Sequence, residues 1–255
     1  MIIATVPHLL RLAIFLLAGV GAGIANGVAG GGTFISFPTL LALGVPALQA
    51  NMTATVGVVP SFLGGIRGFR GQLAPHAKLI RSLMPSTVLG AATGCALLLV
   101  GSPDQFQAVV PWLVGGATVL FGLAPMITRR FAHVEAAHAA RRWSLFAGIF
   151  VASTYGSYFG AGLGILLLAI MAICLPLGIY ELQGLRNVLS IVINLLAAFV
   201  FVIHGGLAVD AVYLLLVGTS IGGGLGTLLI RRLSPTIVRI LVIAAGVATT
   251  VRLSL

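Results

Sequence analysis

Polar side chains flank a run of glycines near the start of the chain, within sequence that is otherwise apolar. Asn26 and Thr33 lie on either side of Gly30, Gly31 and Gly32. Each glycine in a helix interior costs about 1 kcal/mol, so three in succession predict a break in the helix. Backbone N–H groups at such a break, together with the positive end of the next helix, can bind an anion. Close packing of helices through small residues is the alternative interpretation.

A second glycine-rich motif, Gly-Ala-Gly-Leu-Gly, occupies residues 160–164. Its glycines are spaced, so a helix break and close packing are about equally supported. The polar side chains that precede it are Tyr155, Ser157 and Tyr158. Hydroxyl groups in membrane helices often bond within or between helices, which is the alternative to substrate binding for each of them.

Two apolar segments that follow these motifs begin with polar residues. Asn51, Thr53 and Thr55 head the first segment, and Arg186 and Asn187 head the second. The candidate substrate ligands, in chain order, are Asn26, Gly30, Gly31, Gly32, Thr33, Asn51, Thr53, Thr55, Tyr155, Tyr158, Gly160, Gly162, Arg186 and Asn187.

Arg186 stands apart from the basic clusters of the chain and beside apolar sequence. Ionisable residues inside a membrane are costly and usually functional. The alternative places Arg186 at the membrane interface as an ion-pair partner of Glu181, five residues earlier. Glu181 is also a candidate carrier of a coupling proton, although the same interfacial loop argues against that role.

Composition determines the class of protein that must position these residues. The 255 residues include 14 Lys and Arg and only four Asp and Glu, 34 are glycine, and mean hydropathy is +1.17. The charged fraction is 7%, whereas soluble domains carry about 25%. This excludes a soluble enzyme, a nucleic-acid-binding domain and a disordered chain. The net charge of +10 fits basic loops on the cytoplasmic side of a membrane.

Nothing in the sequence indicates catalysis, a metal or a cofactor. Cys95 and Cys174 lie in apolar runs without metal-ligand spacing, and the acids and histidines are scattered. The chain has no Gly-Lys-Ser/Thr motif, so ATP is not expected to drive it directly.

The elements are expected to be membrane helices, and the fold class to be an all-α polytopic membrane protein. Apolar stretches predict ten segments, of which the second, sixth and seventh are short and are candidates for broken or re-entrant helices. The segments cover 8–28, 33–45, 50–66, 82–100, 107–128, 143–159, 162–178, 187–203, 209–229 and 235–254.

Charged loops orient these segments. Residues 67–81, residues 129–142 and the pair Arg231 and Arg232 are basic and are expected to be cytoplasmic. The turns with Asp104 and Asp210 lack Lys and Arg and are expected to face outward. Both termini would then lie outside, and pairs of re-entrant segments would not alter these orientations.

The chain contains two copies of one plan. Glycine motif, apolar run, polar-headed segment and glycine turn recur in the same order, and corresponding loops carry opposite charge. The pattern predicts an inverted repeat, with residues 1–128 and 143–255 as the two halves and residues 129–142 as a basic cytoplasmic linker.

The motifs resemble the sulfite exporter TauE/SafE family over residues 15–250. Gly-Val-Ala-Gly-Gly-Gly-Thr-Phe-Ile-Ser-Phe-Pro-Thr-Leu at 27–40 and Ala-Asn-Met-Thr-Ala-Thr at 50–55 are similar to its first repeat. Tyr-Gly-Ser-Tyr-Phe-Gly-Ala-Gly-Leu-Gly at 155–164 and Leu-Arg-Asn-Val-Leu-Ser at 185–190 are similar to its second, although a proline often seen there is missing. The resemblance implies a multi-pass permease of the bacterial inner membrane for sulfite or a sulfonate.

The leading hypothesis is a secondary transporter of such an anion, working by alternating access, with no nucleic acid as partner. A passive anion channel and a non-transporting membrane subunit are the alternatives. The sequence leaves open which anion moves, in which direction, whether a proton or ion is coupled, and how many copies assemble.

Overall fold

The computed structural model describes residues 7–28, 30–131, 138–229 and 235–254. Within these ranges the chain is helical and has no β-strand. A single 3₁₀ turn, Ala74–His76, joins the fifth helix to the sixth. The helices are α1 (His8–Val28), α2 (Thr33–Ala42), α3 (Ala47–Val58), α4 (Ser61–Gly68), α5 (Arg70–Leu73), α6 (Ala77–Val100), α7 (Pro103–Phe131), α8 (His138–Tyr158), α9 (Leu163–Cys174), α10 (Ile179–His204), α11 (Val209–Leu229) and α12 (Pro235–Ser254).

Five helical stretches among the described residues are long and apolar enough to cross a membrane. They are His8–Gly27, Arg70–Val100, Pro103–Leu123, Ile179–His204 and Val209–Gly226. The predicted all-α polytopic class is therefore confirmed.

Both glycine motifs interrupt the helices as predicted. Gly30 has φ +79° in the connection from α1 to α2, and Gly160 and Gly162 have φ +81° and +78° in the connection from α8 to α9. The helices that follow are short, with 10 residues in α2 and 12 in α9. The prediction that the second and seventh segments are short is correct.

Two predicted segments differ from the structure. The sixth is not short, because α8 begins at His138 inside the basic stretch and reaches 21 residues. The third is not continuous, because it divides into α3 and α4 at Val59 and Pro60. Proline lacks the N–H that would continue the helix.

Contacts at the helix ends define two opposite ends of the molecule. At the basic end, His76 precedes α6 and forms an ion pair with Glu181 in the first turn of α10. At the cleft end, a cleft of about 290 Å³ brings the start of α1 together with Pro46 and with Asp210 at the start of α11. Since α1 begins at the cleft end and the α2–α3 connection also lies there, α2 turns back toward the end from which α1 came.

Spaced glycines allow two pairs of helices to touch backbone to backbone. A β-carbon at Gly19 in α1 would lie 3.1 Å from the Gly218 Cα in α11, and one at Gly23 would lie 2.7 Å from the Thr219 carbonyl oxygen. Glycines of α6 meet the backbone of α8 in the same way, at Gly90 and Gly94. Close packing, the alternative considered for glycine in general, is thus the role of these four residues of α1 and α6.

Replacing Gly23 with alanine is expected to lower the free energy of unfolding by about 1–3 kcal/mol, because the added methyl group meets backbone that cannot move aside. Gly116→Ala on α7 is the matched control, since a β-carbon there would contact nothing within 4 Å. The measurement is the melting temperature in detergent, followed by size-exclusion chromatography. Equal melting temperatures for the two variants would contradict the tight packing of α1 against α11.

Candidate anion site between the broken helices

Arg186 is buried where the two broken helices meet. Its side chain lies on α10, is 1% exposed, and is the only buried charged side chain among the described residues. Nη2 donates to the Asn26 carbonyl oxygen at 3.3 Å and to Asn187 Oδ1 at 3.1 Å. Nη1 has no hydrogen-bond partner. A buried guanidinium with an unused N–H edge is costly, so it points to a ligand that completes it.

The two glycine motifs form the walls beside that guanidinium. A β-carbon at Gly30 would lie 3.0 Å from Arg186 Nη1 and 3.2 Å from the Gly164 Cα. One at Gly164 would lie 3.3 Å from Arg186 Cδ. Only glycine leaves room here, so the connection before α2 and the first turn of α9 both approach the cation closely. We call Asn26, Gly30, Gly164, Arg186 and Asn187 the cation cluster.

Asn26 holds the first break in position through its side chain. Its Oδ1 accepts from the Gly32 amide at 2.7 Å, and its Nδ2 donates to Ser61 Oγ at 2.9 Å. Because its carbonyl oxygen also accepts from Arg186, this one residue ties α1 to the start of α2, to α4 and to α10. Both polar atoms of its side chain are thus bonded within the protein.

Further unpartnered donors lie on the same elements. Asn187 Nδ2 and Ser190 Oγ, on one turn of α10, have no hydrogen-bond partner. N–H groups in the first turn of a helix have no intrahelical acceptor. In α9 the turn bonds engage Leu163, Ile165 and Leu166, and the Gly164 amide donates to no described residue. The cluster therefore offers donors from a side-chain cation, a side-chain amide and a helix N-terminus.

No described carboxylate neutralises Arg186. Glu181 accepts instead from His76 Nε2 at 2.7 Å and from the Gly178 amide at 2.7 Å, so the interfacial Arg186–Glu181 pair considered from the sequence is wrong. The other described acids, Asp104 and Asp210, lie in the first turns of α7 and α11. The positive charge in the cluster is therefore uncompensated within the described part of the chain.

Asn51 and the tyrosines form a neighbouring group at the second break. Asn51 Nδ2 donates to the Tyr158 carbonyl oxygen at 2.9 Å, and Asn51 Oδ1 is unpartnered. The Tyr155 hydroxyl donates to the Ala161 carbonyl oxygen at 2.6 Å and holds the connection before α9. A β-carbon added at Gly160 would lie 4.0 Å from Thr33 Oγ1. The start of α2 thus faces the second break.

Other candidates are used within the protein. Thr53 Oγ1 accepts from the Ala208 amide at 3.1 Å, and Thr55 Oγ1 donates back to the Asn51 carbonyl oxygen at 2.9 Å. The amides of Gly30 and Gly32 bond to Ala25 O and Asn26 Oδ1, so they are not the free donors expected from the glycine run. Gly31 and Gly162 are buried within the two breaks.

Asn51 and Arg186 were also expected at helix starts, and this is wrong. The helix with Asn51 begins earlier, after Pro46, and the helix with Arg186 begins after Gly178. Glu181 accepts a hydrogen bond from the Gly178 amide and so caps that start. Asn51 and Arg186 consequently lie inside α3 and α10. Ser61, which fixes Asn26, was missed by the sequence reasoning, although its position directly after a proline could have marked a helix start.

The chain matches the family model described as sulfite exporter TauE/SafE over residues 15–253. It is 23% identical over 245 residues to a "Probable membrane transporter protein" of Haemophilus influenzae, covering 95% of this chain and 94% of that protein. It is 24% identical over 246 residues to "Probable membrane transporter protein ORF9" of a Sinorhizobium species, covering 95% and 92% respectively. No solved structure matches the chain.

Proposed function

The chain belongs to the sulfite exporter TauE/SafE family of membrane transporters, and from this premise we propose that it carries sulfite or an organosulfonate across the bacterial inner membrane by alternating access. One observation supports an anionic substrate most directly. Arg186 is buried with no carboxylate partner among the described residues, and its Nη1 is unused beside the breaks of α1–α2 and α8–α9.

The donors of the cation cluster suit an oxyanion with several equivalent oxygens. Arginine presents N–H groups in a planar fork that can bond two oxygens of one anion. The Gly164 amide and Asn187 Nδ2 can reach further oxygens, and the N-terminal end of α9 adds a favourable dipole. A sulfonate or sulfite group has three such oxygens.

Helix contacts support the predicted two-fold relation between the halves of the chain. If the predicted halves, residues 1–128 and 143–255, are matched in chain order, α1, α2 and α6 correspond to α8, α9 and α11. The pair α1–α11 then corresponds to α8–α6, and the pair α1–α2 corresponds to α8–α9. All four pairs are in contact. Each half also donates to the end of the other's first helix, through Asn51 to Tyr158 O and Arg186 to Asn26 O. Rocking about this shared region would open the buried cluster to either side.

The decisive experiment is transport by the purified protein in liposomes. Labelled sulfite and labelled methanesulfonate are expected to accumulate when the same unlabelled anion is preloaded, because a carrier exchanges one substrate molecule for another. Protein-free liposomes are the control. Flux without such counterflow would identify a passive channel, and no flux of any small anion in a broad panel would overturn the proposal.

A thermal-shift panel in detergent would rank the ligands. A substrate stabilises the folded protein by an amount that grows with the logarithm of its concentration over its Kd. Sulfite, thiosulfate, methanesulfonate and an aromatic sulfonate, tested at equal concentration, should therefore separate by affinity. Acetate, a planar anion with two oxygens, is the comparison that shows whether the third oxygen matters.

A further inference from the structure

The charge of the cation cluster sets the charge of its ligand. Arg186 contributes one positive charge, and no other charged side chain of the described residues is buried. Three described basic residues of the basic end, Arg70, Lys78 and Arg81, are exposed, and so are Arg11 and Arg142. An anion bound in the cluster is thus balanced by one buried positive charge of the described residues.

At the position that corresponds to Arg186, the first half of the chain has no second cation. When the repeat is aligned so that Asn51 corresponds to Asn187, Ala50 stands where the second half has Arg186. Ala50 is completely buried and its side chain carries no charge, so this position contributes no cation to the site. The remaining donors, the Asn187 amide group and the Gly164 N–H, are uncharged.

We propose, on the basis of the proposed function, that the site takes one univalent anion and that the loaded carrier crosses the membrane as an electrically neutral unit. A divalent anion would bring a second negative charge into a region where no described side chain balances it. The penalty for such a charge corresponds to about tenfold weaker binding or more. The empty carrier retains the positive charge of Arg186, so its return is disfavoured and exchange of one anion for another is the favoured mode.

Binding tests the charge selection directly. Methanesulfonate and sulfate are both tetrahedral sulfur oxyanions and differ by one charge. In a thermal-shift titration with purified protein, methanesulfonate is expected to bind about tenfold more tightly than sulfate, or better. Sulfite provides an internal test, since acidification converts it from a dianion to hydrogen sulfite. Its apparent affinity should rise as pH falls through that ionisation, while that of methanesulfonate stays constant.

Exchange in liposomes tests neutrality. Methanesulfonate exchange is measured with the membrane potential set by potassium gradients and valinomycin at zero, inside-negative and inside-positive values. Its rate is expected to be the same at all three. Equal binding of sulfate and methanesulfonate, or exchange that follows the potential, would overturn this inference while leaving the proposed function intact. Binding and transport of no anion at all would instead overturn both.

Discussion

Arg186→Gln is expected to weaken anion binding by about 100-fold and to abolish measurable transport. The substitution removes the charge and the unused Nη1 edge but keeps a polar side chain that can still donate hydrogen bonds. A charge-assisted hydrogen bond contributes about 1.5–3 kcal/mol, and each 1.4 kcal/mol is tenfold in Kd. Losing one such bond together with the only buried positive charge of the described residues accounts for the expected factor.

The stability of the empty protein should move in the opposite direction from binding. Arg186 makes two hydrogen bonds within the protein, but its charge is buried with no carboxylate beside it. Removing an uncompensated buried charge is neutral or stabilising. The ligand-free melting temperature of Arg186→Gln is therefore expected to equal or exceed that of the wild type. A structural arginine would give a lower melting temperature, so this readout separates the two roles.

Arg186→Lys is the matched variant for this prediction. Lysine keeps the positive charge but replaces the planar fork with a single ammonium group. It is expected to bind methanesulfonate about tenfold more weakly than the wild type and to retain slow exchange. Wild-type affinity in Arg186→Gln, or complete inactivity in Arg186→Lys with the fold intact, would contradict a binding role for the charge.

The sequence predicted the membrane class and the positions of both helix breaks because these depend on local properties. Apolar length determines which segments can span, and consecutive or positive-φ glycines such as Gly30 interrupt a helix wherever it lies. The short helices α2 and α9 follow directly from these breaks.

The environment of Arg186 could not be predicted because it depends on contacts across the chain. Glu181 lies five residues away, a spacing compatible with an interfacial ion pair. The structure instead pairs Glu181 with His76, which is 105 residues distant, and brings Asn26 to Arg186 across 160 residues. The helices also begin earlier in the chain than the sequence predicted. Glu181 caps the Gly178 amide, so α10 begins before the polar residues.

Gly30→Ala is expected to impair anion binding through the space it fills, beyond its effect on the backbone. Gly30 has φ +79°, a conformation that costs a residue with a β-carbon about 1–2 kcal/mol. The added methyl group would also lie 3.0 Å from Arg186 Nη1 and 3.2 Å from the Gly164 Cα. It would therefore displace the guanidinium and occupy the place beside its unused edge.

Gly205→Ala separates these two effects. Gly205 has φ +84° and ψ −165°, a conformation that is essentially restricted to glycine, so its replacement carries a backbone penalty at least as large, but a β-carbon there would contact nothing within 4 Å. Both variants are expected to melt at reduced temperatures, with a loss of about 1–3 kcal/mol each that is no smaller for Gly205→Ala. Gly30→Ala alone should lose at least about tenfold in methanesulfonate affinity, since one charge-assisted hydrogen bond accounts for that factor. If Gly30→Ala instead binds methanesulfonate as tightly as Gly205→Ala does, the anion does not lie between Gly30 and Arg186, and the site must be sought at the neighbouring Asn51 and Tyr158.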